Sequence, residues 1–316
     1  MHDFELLTLK DGRKLAFRRY GRRDGRPLYF FHGFPGCRLQ AALVHAQAEA
    51  AGVSLIAIDR PGFGRSSFAP KRTIPSWPDD VAQLADRLGH RRFGVVGVSC
   101  GGAYALACAH RMRQRLEYVG LFAGMGPMDI AAIRAGQLPA LTAMFALARI
   151  RPLLAAPFLV LDRLMFRVSP ERAVRALAGM LTLPDRELLG NDAQVRRAFG
   201  ASLAEAYAQG VAGALREAHL IGSARGFALE DIAGPVHVYQ GGVDRHVPPA
   251  MGRYLAATIP QGRLHFHPQE GHLSILVNRF GDCLRDFQAT AAAPIALSPF
   301  GAVADIGTAQ SQSTAH

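Results

Sequence analysis

The chain has 316 residues, 49% of them apolar, 19% charged, with a formal net charge of +11. That is enough apolar material for a sizeable core in one domain, or in one domain with an insertion, and no uncharged apolar run of about 18 residues offers a membrane-crossing helix. The positive charge does not single out nucleic acid: only Lys10, Lys14 and Lys71 are lysines, and the arginines are spread along the chain apart from Arg18-Arg19, Arg22-Arg23 and Arg111/Arg113/Arg115.

In chain order, residues 4–9 and 14–19, joined at Asp11-Gly12, read as a β-hairpin. Apolar runs at 28–31, 53–59, 93–97 and 118–124 read as buried strands, with helices between them at about 39–51, 78–89 and 100–111. Strands resume at 236–240 and 264–267, with helices near 249–257 and 272–288. Strands alternating with helices predict an α/β class, a mostly parallel, doubly wound sheet covered on both faces. Between Gly124 and Gly234 the strand signal is lost, and an Ala-, Leu- and Arg-rich stretch punctuated by Pro139, Pro152, Pro157, Pro170 and Pro184 predicts inserted helices. The expected organisation is a core of residues 1–124 and 235–290, a helical lid at 125–234, and a disordered tail at 291–316. Cys37, Cys100, Cys108 and Cys283 have no metal-binding spacing and read as free thiols of a reducing compartment. The N-terminus lacks a basic start followed by an apolar core, so no signal peptide is read and a cytoplasmic location is expected.

Gly97-Val98-Ser99-Cys100-Gly101 sits where a strand passes into a helix of small residues. A serine on such a turn is strained and projects from the carboxyl edge of the sheet, and glycines two residues to either side remove the collisions a tight turn creates. A serine hydroxyl needs a base within hydrogen-bond reach and a carboxylate to orient that base. In a doubly wound sheet both should come from loops after later strands. Gly241-Gly242-Val243-Asp244 follows one such strand and Glu270-Gly271-His272 the next, so Asp244 and His272 stand where an orienting acid and a general base are needed. The order serine, acid, histidine is that of one triad class. Asp129 is a rival acid; His237, His265 and His267 fall in or beside strands and are assigned to packing, and no histidine trio has zinc spacing.

With these marks, together with His32-Gly33-Phe34-Pro35-Gly36 and Asp59-Arg60-Pro61-Gly62-Phe63-Gly64-Arg65-Ser66, the chain resembles the α/β-hydrolase fold family over about residues 5–288. The resemblance implies Ser99 as nucleophile, His272 as general base and then acid, Asp244 as its orienter, and the backbone N–H groups of Phe34 and Cys100 as an oxyanion hole. His32 is expected to hold its loop rather than transfer protons, and Asp59 and Arg60 to fix the neighbouring loop. Relatives that open epoxides or remove halide carry Asp in place of Ser99, which argues against both chemistries. Peptidases that release N-terminal proline usually have Gly and Trp where this chain has Phe34 and Cys100, which ranks that reading low.

The expected function is a cofactor-free, metal-free serine hydrolase acting on a small or medium apolar carboxylic ester. Acyl transfer or carbon–carbon hydrolysis by the same residues, or a non-catalytic small-molecule receptor, are the alternatives. The expected partner is a small acyl substrate, with no nucleic acid. The apolar residues of 138–168, Met144, Phe145, Phe158, Met165 and Phe166 among them, are expected mainly to pack on the core; a wall around the acyl pocket is the sharper reading, and membrane-surface contact through the interspersed arginines is not favoured.

Overall fold

The computed structural model describes residues 4–179 and 181–292. Strands β1 (Glu5–Thr8), β2 (Lys14–Gly21), β3 (Arg26–Phe31), β4 (Val53–Ile58), β5 (Phe93–Val98), β6 (Leu116–Phe122), β7 (Val236–Gly241) and β8 (Gly262–His267) form one sheet in the order β1-β2-β4-β3-β5-β6-β7-β8. β1 pairs antiparallel with β2 and β2 antiparallel with β4, and every later pairing is parallel. β4, β5 and β7 are buried at every position, as central strands covered on both faces must be.

The covering helices are α1 (His45–Ala50), α2 (Trp77–Arg87), α3 (Gly101–Arg111), α10 (Pro249–Thr258) and α11 (Ser274–Ala292). The helix expected over 39–51 enters as a tight 3-10 segment, Arg38–Val44, before α1 begins. That segment is anchored by tertiary bonds: Arg38 N–H donates to Asp59 (2.6 Å) and Gln40 Oε1 accepts the N–H of Gly33 (2.7 Å). β6 ends at Phe122 rather than at 124, because Ala123 turns the chain with φ of 46°. α11 starts at Ser274, so His272 lies just ahead of the helix instead of inside it.

Between β6 and β7 the chain builds α4 (Pro139–Ile150), α5 (Ala156–Val168), α6 (Pro170–Ala178), α7 (Leu183–Asn191), α8 (Ala193–Ala206) and α9 (Ala212–Gly222). The prolines that punctuate this stretch sit in first turns, at Pro139, Pro157, Pro170 and Pro184 of α-helices and Pro152 of a 3-10 turn. A missing N–H costs nothing there. Packing on the core accounts for only part of the apolar content. Met144, Phe145, Leu159 and Phe166 are buried, whereas Leu153 (73% exposed), Leu161 (59%) and Val168 (83%) face outward. Among the described residues no helix is long and apolar enough to cross a membrane. The expected tail starts two residues too early: 291 and 292 are still in α11, and 293–316 lie outside the described residues.

Candidate active site

Ser99 stands between β5 and α3 with φ of 54°, the left-handed region that a non-glycine residue enters only when its surroundings impose it. Its N–H donates to Phe122 O (2.8 Å), and its carbonyl accepts from Gly102 and Met125 N–H (3.0 Å each). The flanking glycines are required by close approach. A Cβ on Gly97 would lie 2.4 Å from the Gly101 carbonyl oxygen, and one on Gly101 2.2 Å from that of Phe31. The turn is thus wedged between β5, α3 and the end of β3, with Ser99 buried at 6% exposure.

Asp244 follows β7 and is 3% exposed. Its Oδ1 accepts backbone N–H groups of His246 (2.7 Å) and Val247 (2.9 Å), leaving Oδ2 to accept from His272 Nδ1 at 2.7 Å. A proton on Nδ1 frees Nε2 as the basic nitrogen. Burial alone would lower the His272 pKa, but the Asp244 charge and hydrogen bond, with a further contribution from Asp185, hold it above the ordinary imidazole value. The His246 ring stacks on His272 with centroids 4.8 Å apart. Burial and the neighbouring His272 push His246 down to about 4, so that ring is neutral near pH 7. Asp129 is exposed, and among the described residues no hydrogen bond joins it to His272. Nor, among them, does a hydrogen bond join Ser99 to His272, a contact that often tightens only when substrate binds.

The loop after β3 lies over the serine: a Cβ on Gly33 would be 3.6 Å from Ser99 Cβ. His32 Nε2 accepts the N–H of Arg60 (3.2 Å), which places the proton on Nδ1, where it donates to Gly33 O (2.8 Å). Full burial and the nearby Arg60 hold His32 well below its ordinary pKa, so it is a neutral brace. The Arg60 guanidinium donates to the carbonyls of His32 and Gly33, the latter at 3.0 Å. A peptide is planar, so fixing the Gly33 C=O fixes the plane that carries the Phe34 N–H. Among the described residues neither Phe34 N–H nor Cys100 N–H donates to a protein oxygen. Burial pushes the Cys100 thiol up to about 12, leaving its backbone as the group with chemistry to offer.

The segment between β6 and β7 reaches the loops after β3, β4, β7 and β8. Glu217 of α9, fully buried, pairs with Arg60 (2.8 Å) and Arg72 (2.6 Å) and accepts from Tyr104 OH (2.6 Å). The Phe145 ring of α4 lies 5.9 Å from that of Phe34. Leu138 N–H donates to Arg245 O (2.9 Å) and Gln137 Nε2 to His246 O (2.8 Å), gripping the loop that carries Asp244. Asp185 of α7 accepts the N–H of His272 (2.8 Å). Nothing in the sequence marks Glu217 or Asp185 as a partner of these loops. A cavity of about 240 Å³ lies between Ala103, Met125, Ile221, Arg225, Phe227 and Tyr254, but Ser99, Phe34 and His272 do not line it.

Among the described residues two groups of side chains come close enough to hold a metal ion, Asp244/His246/His272 and His237/His265/Asp286. In the first, Asp244 Oδ2 already takes the His272 Nδ1 proton. In the second, the His237 and His265 rings are 15° from parallel, with Nδ1 and Nε2 3.0 Å apart. At that distance one nitrogen donates its proton to the lone pair of the other in an N–H···N bond. His237 and His265 therefore join a polar cluster with Asp286 and Tyr239, and His267 Nε2 lies 4.0 Å from Asp282; simple strand packing does not describe these three. Cys37, Cys100, Cys108 and Cys283 are free and buried.

A family model described as alpha/beta hydrolase fold matches residues 26–279. The chain is 35% identical over 116 residues to the dihydrolipoyllysine-residue acetyltransferase component of the acetoin cleaving system of Pseudomonas putida, a match covering 36% of this chain and 31% of that protein. It is 32% identical over 99 residues to a bifunctional esterase/perhydrolase of Acinetobacter calcoaceticus, covering 30% of this chain and 35% of the relative. The matched stretch thus spans about a third of the length of these curated relatives. A thermophilic esterase from Thermogutta terrifontis superposes with a TM-score of 0.66 at 23% identity, over 92% of this chain and 99% of that one.

Proposed function

The chain belongs to the alpha/beta hydrolase fold family, and on that premise we propose that it is a serine hydrolase that cleaves a small or medium apolar carboxylic ester through an acyl-enzyme. The observation that carries this reading is the buried Asp244–His272 hydrogen bond of 2.7 Å on the sheet edge where Ser99 holds a left-handed turn. Ser99 Oγ attacks the ester carbonyl as His272 Nε2 takes its proton, and Asp244 stabilises the imidazolium. The carbonyl oxygen becomes an oxyanion held by Phe34 and Cys100 N–H, donors that commonly contribute about 3–4 kcal/mol each. Collapse expels the alcohol with the proton from His272. Water, deprotonated by His272, then cleaves the acyl-enzyme and releases the acid. Phe34 packs with Phe63 and Phe145 in an aromatic cluster beside the proposed oxyanion donor, which supports an apolar acyl group. No step calls on a cofactor. Four buried free thiols suit a reducing cytoplasm.

Similarity to an acetyltransferase component supports a second reading, in which the same acyl-enzyme is passed to an acceptor other than water. A panel of aryl esters, thioesters and lactones, with and without an added alcohol or thiol acceptor, separates the two. Labelling by a fluorophosphonate, mapped to Ser99 by mass spectrometry, tests both against a receptor that binds without turnover. Absence of labelling and of turnover on every substrate would refute the enzymatic reading.

A further inference from the structure

We propose that Asp185, a carboxylate of the inserted helices, is a positioning residue for the general base: it caps the start of α11 from outside that helix and fixes the backbone of His272. The proposal rests on the serine-hydrolase reading. It deepens that reading by making the insertion part of the catalytic geometry rather than only a cover.

The geometry is a carboxylate with both oxygens turned onto one loop. Asp185 Oδ2 accepts the N–H of His272 (2.8 Å), and Oδ1 accepts those of Leu273 (2.9 Å) and Ser274 (2.8 Å). The first N–H groups of a helix have no partner inside it and are ordinarily met by a side chain at its N-cap. The residue before α11 is Leu273, which has no such group, and the Ser274 hydroxyl accepts from Gly271 N–H instead. The missing acceptor therefore comes from α7, 87 residues away along the chain for His272. Asp185 is 1% exposed, so water does not compete for these donors.

Local sequence would send this carboxylate elsewhere. Thr182-Leu183-Pro184-Asp185 has the spacing of a capping box, in which the acid folds back onto the N–H of its own N-cap residue. Here Thr182 is the N-cap of α7, yet its hydroxyl turns to donate to Asp185 Oδ2 at 3.3 Å. Gly271 permits the approach: a Cβ there would lie 2.5 Å from both Asp185 Oδ1 and Thr182 Oγ1. His272 is thereby held at two points, its ring by Asp244 and its backbone by Asp185. The charged and titratable groups around the ring are Asp244 and His246 from the loop after β7 and Asp185 from α7. Of these, Asp185 adds negative charge that favours the imidazolium formed in the transition state.

The test is Asp185→Asn, which keeps the shape but replaces one accepting oxygen with a donor and removes the charge. A base held loosely loses rate more than binding, so kcat should fall roughly 10- to 100-fold while KM stays within about twofold. The acid limb of the kcat/KM profile should move to lower pH, since the base loses a charge that raised its pKa. A fall in melting temperature with kcat and the acid limb both as in wild type overturns the proposal and makes Asp185 a structural brace. Should the variant not fold, amide hydrogen exchange on wild-type protein decides: residues 272–274 must be protected, and exchange at the rate of an open loop overturns the proposal. Wild-type protein that neither reacts with a fluorophosphonate nor turns over any ester overturns the parent reading; an active wild type with an unaltered Asp185→Asn profile overturns only the role of Asp185.

Discussion

The sheet and the helical insertion are held by different forces. The central strands are apolar at nearly every position and fully buried, so their place is set by the area they remove from water. The insertion leaves Leu153, Leu161 and Val168 exposed, and it meets the site largely through polar contacts: Glu217 on Arg60, Asp185 on His272, Gln137 on His246. Apolar packing is tolerant of direction, whereas hydrogen bonds to buried charges are not. The scaffold is therefore specified by pattern, and the fine placement of the loops that carry Phe34, Asp244 and His272 by a few individual acids and amides.

If catalysis resides on the sheet edge, Ser99→Ala should lower kcat by about 10⁴-fold or more while circular dichroism stays that of wild type. Asp244→Asn should cost on the order of 10⁴-fold, because the base loses its tautomer, whereas Asp129→Asn should leave the rate near wild type. Near-normal turnover by Asp244→Asn with collapse of Asp129→Asn would move the acid to the start of the insertion.

The junction itself is probed by Glu217→Gln. The variant leaves Arg60 and Arg72 buried without their counter-charge, and breaking such a pair costs about 3–5 kcal/mol. Urea denaturation should show a loss of that order together with reduced activity, since Arg60 carries the peptide plane of Phe34. A loss under about 1 kcal/mol would mean that the two regions are joined by packing instead.

Within the insertion, Phe145→Leu should shift the preference for acyl length by about 1–3 kcal/mol, a graded change, while Leu161→Ala on the outer face should not. Equal effects from both positions would erase the distinction between an inner wall and an outer surface.

The smallest effect is in pH. In the proposed mechanism His272 is neutral when it accepts the Ser99 proton, so its raised pKa should place the acid limb of kcat/KM above the ordinary imidazole value of 6.5. The sign for stability is opposite. A folded-state pKa above the unfolded one stabilises the fold fully below the unfolded value, and that contribution is lost as pH rises through the folded pKa. Asp244→Asn should abolish this slope in denaturation measured across that range.

The sequence alone determined the alternation of strands and helices, the glycines of the Ser99 turn, the proline-marked helix starts of the insertion, and the loops that carry Asp244 and His272. Each is a local signal: a period, a steric need or a position after a strand. The 3-10 entry at Arg38–Val44, the polar His237/His265/Asp286 cluster, and the roles of Glu217 and Asp185 were decided only by tertiary structure. Asp185 shows why. Its local pattern points to its own helix, but buried N–H groups at residues 272–274 lack any acceptor nearby in sequence, and leaving them unmet costs more than leaving α7 without its own cap. Which acid meets which donor depends on where the folded chain brings them together, and that is a property of the assembled sheet and helices rather than of any short stretch of residues.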